Sequence, residues 1–89
     1  MKAVITVIGK DMVGILAQVS AVCSENHVNI VEVTQSVLHE FFAMIMLVDM
    51  TGANVDCAGL SDRMTALSKK SGLSIHVMHE DVFNSMHRI

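Results

Sequence analysis

Residues 2–8 alternate between two parities and are rich in Val and Ile, the period-two pattern of a half-buried strand. Gly9, Lys10 and Asp11 interrupt it, and from Gly14 onward Ile15, Val19, Val22 and Cys23 recur on one helical face. Asn26-His27 should end that helix, because Asn tolerates the left-handed conformation common after a last turn. Residues 28–38 read as a long strand, His39-Glu40 as a tight turn, and residues 41–50 as a third strand. A second break falls at Thr51-Gly52-Ala53-Asn54. Leu60, Met64 and Leu67 then space out an amphipathic helix that Gly72 stops, before a last strand over residues 73–79 and a polar tail over 80–89.

The order is βαββαβ, with no linker, repeat or low-complexity stretch, in a single domain over residues 1–89 with its core in 2–79. Right-handed crossovers turn that order into an α+β, ferredoxin-like fold: an antiparallel four-stranded sheet, strands in the order four, one, three, two, with two helices on one face. Side-chain parity assigns the faces. Ala3, Ile5, Val7, Val31, Val33, Val37, Ile75 and Val77 form an apolar set expected to face the helices. The other parity carries Thr6, Glu32, Thr34, Ser36, His76 and Met78, and Met44 and Met46 are assigned to it from the third strand. Several methionines on an open face imply cover by a partner or by the tail.

Composition narrows the functional classes. The chain is 52% hydrophobic, yet it has no apolar run long enough for a membrane helix, and its first residues lack the apolar core and cleavage site of a signal peptide. A cytoplasmic protein is expected. Two cysteines are too few for a disulfide scaffold, and Cys23 and Cys57 show no metal-ligand spacing. His76 and His79 are three apart in a strand, hence on opposite faces, so neither a metal nor a cofactor is expected. With net charge −3 and six scattered Lys and Arg, direct nucleic-acid binding is not expected either.

The fold alone does not choose a function. A copper chaperone would need two cysteines in the first βα loop, and residues 9–14 have none. An acylphosphatase would need an arginine and an asparagine there, whereas the first arginine is Arg63. An RNA-recognition domain would display stacking aromatics, and the only aromatics are Phe41, Phe42 and Phe83. No enzymatic activity is expected.

What remains resembles the ACT domain family. The segment Ile8-Gly9-Lys10-Asp11-Met12-Val13-Gly14-Ile15-Leu16-Ala17, followed by Val28-Asn29-Ile30 at the start of strand two, is similar to that family's signature over residues 2–79. It is closest in type to stand-alone bacterial members similar to the glycine-cleavage repressor. It departs at Met12-Val13, where many relatives carry Arg-Pro, and at Gly9, where serine-sensing members have a ligand-contacting side chain. The resemblance implies a regulatory module that binds an amino acid or similar small effector at a homodimer interface. The site would draw on Gly9, Lys10, Asp11, Met12, Val13, Gly14 and Ile15, with Asn29 and Ile30 facing them across the interface.

The chemistry of these residues suits a zwitterion. Backbone amides of Val13, Gly14 and Ile15 lie at the positive end of a helix and can receive a carboxylate, and Gly14 permits close approach. Asp11 can accept from an ammonium, and Asn29 can bind either end of the ligand. Each also has a plain structural role: Asp11 as a helix cap, Asn29 as a polar strand start, Gly9 and Gly14 as turn residues, Lys10 as a solvated cation. Gln35 and Ser36, farther along strand two, rank below the loop residues. Strand two is an edge carrying neither proline nor lysine, so a homodimer through it is expected. The rival reading is a structural dimer or partner-binding adaptor without a small-molecule ligand.

Overall fold

Strand β1 (Lys2–Gly9) runs between two antiparallel neighbours, β3 (Phe41–Asp49) and β4 (Ser74–His79), and β2 (Asn29–Leu38) adds to the far side of β3. The sheet order β2-β3-β1-β4 is the one the sequence implies. Helix α1 (Ile15–Glu25) connects β1 to β2, and α2 (Cys57–Ser71) connects β3 to β4. The structure is a computed structural model, and it describes residues 1–10 and 14–86. No helix among the described residues is long and apolar enough to cross a membrane.

Local chemistry sets the element ends. The Asp56 carboxylate accepts from Gly59 N at 2.7 Å, capping the first turn of α2, and Lys69 and Lys70 sit in its last turn, where cations oppose the helix dipole. Gly72 ends α2 in a left-handed conformation, as expected. At the end of α1 the left-handed residue is His27, φ 57°, rather than Asn26. Asn26 is instead buried, its side-chain amide donating to Val22 O at 2.8 Å while its backbone carbonyl accepts from Asn54 N. His39, φ 56°, turns β2 into β3.

The core lies between the sheet and one face of α1 and α2. Ile15, Val19 and Cys23 from α1 and Leu60 and Met64 from α2 pack with Ala3, Ile5, Val7 and Ile75. The parity assignment of the third strand is corrected: Met44 and Met46 are fully buried in this core at 0% exposure. Their partners across the ladder are Val7 and Ile5, so they share the helix-facing side. The sequence Phe-Phe-Ala-Met-Ile-Met-Leu-Val is apolar at both parities, which leaves its phase undefined until pairing sets it.

Strand two needs a second correction. A bulge between Ile30 and Glu32 shifts its phase, so Ile30 packs, partly buried, against the core while Val31 is exposed. Val37 keeps its helix-side parity opposite Phe42 but is 60% exposed at the sheet edge.

Residues expected to form a polar tail instead form helix α3 (Glu80–Met86), lying on the face opposite α1 and α2. Glu80 and Asp81 occupy its first turn, where carboxylates favour the helix N-terminus, and His79 Nδ1 accepts from Asp81 N at 3.0 Å. This cover explains why Val4 is buried although its parity points away from the core helices. At seven residues α3 is too short for periodicity to reveal it.

The corrected phase of β3 has a direct test. Met46→Ala should lower the unfolding free energy by about 2–5 kcal/mol, and Ile45→Ala, on the opposite face, by less than about 1 kcal/mol. Urea denaturation of both variants measures the difference, and equal losses would contradict the assignment.

Candidate functional site

Four of the predicted site residues come together at one end of the sheet. Gly9 ends β1, Lys10 follows it, Gly14 precedes α1, and Ile15 is the first residue of that helix. Asp11, Met12 and Val13 lie outside the described residues. Gly14 adopts φ 73°, a left-handed conformation that penalises any residue with a Cβ. It has no side chain to cap the helix, and the first turn of α1 carries no acidic residue. The first bond of this turn is Gln18 N to Gly14 O at 2.9 Å, so the amides of Ile15, Leu16 and Ala17 lie before the intrahelical ladder starts. That is the donor arrangement a carboxylate needs. The side chain of Ile15 takes no part in it, because it is buried in the core.

Gly9 is placed for a different reason: a Cβ there would meet the terminal methyl of Leu73, so the glycine lets that side chain close over the end of β1. Beside it lies an open groove of about 410 Å³ whose walls include Ile8, Lys10, Phe41 and Leu73. The Lys10 ammonium sits 5.8 Å from the centre of the Phe41 ring, within cation–π range. Phe41 was not singled out as a site residue. Its place opposite Leu38 at the hairpin turn is what brings it to this end.

Asn29 and Ile30 lie elsewhere. Asn29 pairs with Asp49, which pairs with Lys2 at the start of β1, whereas Gly9 pairs with Phe42 at its end. Seven residues of strand separate the two rows, roughly 24 Å. A single chain therefore does not bring Asn29 to the loop. Asn29 is exposed, and Ile30 is partly buried against the core. Asp49 is held below the ordinary carboxylate range by the Thr51 hydroxyl, which donates to it at 2.6 Å, and then by the Thr51 backbone N–H at 2.9 Å. An anionic group thus stands across the ladder from Asn29.

The thiols offer no nucleophile. Burial pushes Cys23 up to about 11, and Cys57 is raised by burial and then by the adjacent Asp56 carboxylate. Both are free, and no group of three or more His, Cys, Asp or Glu among the described residues is placed to hold a metal. His76 and His79 fall on opposite parities of β4, paired with Thr6 and Ala3.

A family model described as ACT domain matches residues 2–78. A UPF0237 protein of Clostridium perfringens is 48% identical over 89 residues, covering 100% of both chains. An ACT domain protein from Streptococcus pneumoniae superposes with TM-score 0.82 at 35% identity, covering 93% of each chain. A putative glycine cleavage system transcriptional repressor shares the fold at TM-score 0.71 and 21% identity, over 85% of this chain and 43% of that one.

The left-handed Gly14 gives a checkable cost. Gly14→Ala should lower stability by about 1–2 kcal/mol and Gly14→Asn by less, since Asn tolerates this conformation. Thermal and urea unfolding distinguish the two; equal stability of Gly14→Ala and wild type would remove the conformational constraint.

Proposed function

The chain belongs to the ACT domain family, and from that premise we propose that it is a regulatory ligand-binding module, not an enzyme, whose effector is an amino acid or similar small zwitterion held between two copies of the chain. The observation that carries this reading is the placement of the two halves of the predicted site. Gly9, Lys10 and Gly14 stand at one end of the sheet and Asn29 at the other, and β2, which carries Asn29, is an edge with β3 on one side only. A twofold antiparallel pairing of β2 with its copy brings Asn29 and Ile30 of one protomer to the loop end of the other. The same pairing covers Val31 and Val37, which are 49% and 60% exposed in the single chain.

Within this arrangement the effector carboxylate is received by the start of α1 and by Lys10, and the ammonium by Asp11, with Asn29 of the partner subunit bridging either end. Met12 and Val13 complete the loop. No metal or cofactor enters the scheme, and the module acts in the cytoplasm without touching nucleic acid or membrane directly. A dimer that buries its edge and leaves the loop empty would be an adaptor, and ligand binding separates the two readings.

In a thermal-shift screen of the twenty amino acids, one present at about 100 times its Kd should stabilise the protein by about 2.7 kcal/mol. Asp11→Ala and Asn29→Ala should each abolish that shift while leaving the circular dichroism spectrum unchanged. If no amino acid moves the midpoint at millimolar concentration, the adaptor reading takes its place.

Sedimentation should give a dimer at tens of micromolar. Neighbouring residues of a strand aim their N–H groups to opposite sides, so of Val33→Pro and Thr34→Pro, one removes an outward donor and should yield a folded monomer. A monomeric wild type, or two proline variants that both remain dimers, would overturn the assembly.

A further inference from the structure

Helix α3 does not lie flush on the sheet. Between them is a cavity of about 180 Å³, room for a ligand of a few non-hydrogen atoms. Its floor is built from two adjacent cross-strand rows: Val4, Leu47 and Glu32 in one, Ile45 and Thr34 in the next. Phe83 closes it from the helix side, where Glu80 and Asn84 also line it. The walls are thus aliphatic and aromatic, and the polar groups are two carboxylates, a hydroxyl and an amide.

The charge is one-sided. Glu32 and Glu80 come from different elements and converge on the same small space, with no Lys, Arg or His among the lining residues. Neither carboxylate has an ion-pair partner among the described residues. We propose that this cavity is a second ligand site, one that takes a small aliphatic amine, with its ammonium between Glu32 and Glu80 and its hydrocarbon part against Val4, Ile45, Leu47 and Phe83.

Other ligand classes fit less well on the same chemistry. A free amino acid would set its carboxylate against two carboxylates with no cation to receive it. A neutral apolar molecule would partly desolvate Glu32 and Glu80 without compensation. A divalent cation would find two carboxylates but, among the described residues, no third acidic, Cys or His ligand. The site is independent of the effector loop: Val4 and Gly9 are five strand residues apart, roughly 17 Å. It requires neither the loop nor dimerisation, so loss of amino-acid binding leaves it intact.

The test is an NMR titration of the full chain with isopentylamine, with isopentanol and leucine as neutral and zwitterionic controls of similar shape. The amine should give saturable shifts centred on Val4, Thr34, Ile45 and Leu47, and each control should bind at least about fivefold more weakly. Glu32→Gln and Glu80→Gln should each weaken the amine about fivefold, and the double variant should lose saturable binding. Glu32 is exposed and Glu80 half-buried, and Ile45→Trp, which fills the floor without removing charge, should block the amine independently. Unchanged affinity in the double variant, shifts scattered away from these residues, or equal binding of alcohol or leucine would each overturn the proposal.

Discussion

Everything in this molecule hangs on the pairing of β1 with β3. With Ile5 opposite Met46 and Val7 opposite Met44, the two central strands present one continuous apolar surface to α1 and α2. A slip of one residue would turn Met44, Met46 and Val48 to the other face and leave Ile45 and Leu47 beneath the helices. The same register fixes which functional groups share an end. It sets Gly9 beside Phe42, and hence Lys10 beside Phe41 and the hairpin turn, and it sends Asn29 and Asp49 to the far end with Lys2.

What the sequence disclosed follows from how strongly each segment constrains its own conformation. The order of elements and the stop at Gly72 were legible because strand alternation in β1, helical spacing in α2 and a glycine past its last turn each point one way. The phase of β3 was not, since no polar residue marks a face between Phe41 and Val48. The bulge at Ile30/Glu32 leaves no composition signal, and it alone decides that Ile30 packs inward while Val31 does not. At the end of α1, Asn26 was read as the left-handed residue because of its tolerance for that conformation. Its side-chain amide instead donates a buried hydrogen bond to Val22 O, its φ is −107°, and the left-handed residue is His27.

The candidate site was legible in part for a related reason. A glycine at position 14 just before an apolar helical stripe announces a helix start, and the amides there follow from backbone geometry. The βαββαβ order already implies that Gly14 and Asn29 fall at opposite ends of the sheet, and the strand register agrees. What the order of elements leaves open is the strand register that supplies the neighbours, Phe41 beside Lys10 and Asp49 beside Asn29. The open face is expected to be mixed, with methionines in its middle and partial cover by a partner or the tail; Met44 and Met46 belong to the other face, and α3 lies over Val4, Ile45 and Leu47.

The two outer strands are unlike, and this governs how far the sheet can grow. β2 has ten residues, whereas β4 has six and passes directly into α3 at Glu80. Short edges that are abruptly diverted make poor templates for further pairing. If two copies pair through β2, the joined sheet would have β4 at both outer edges, each a six-residue strand turned aside into α3, and such edges favour a closed pair over a filament.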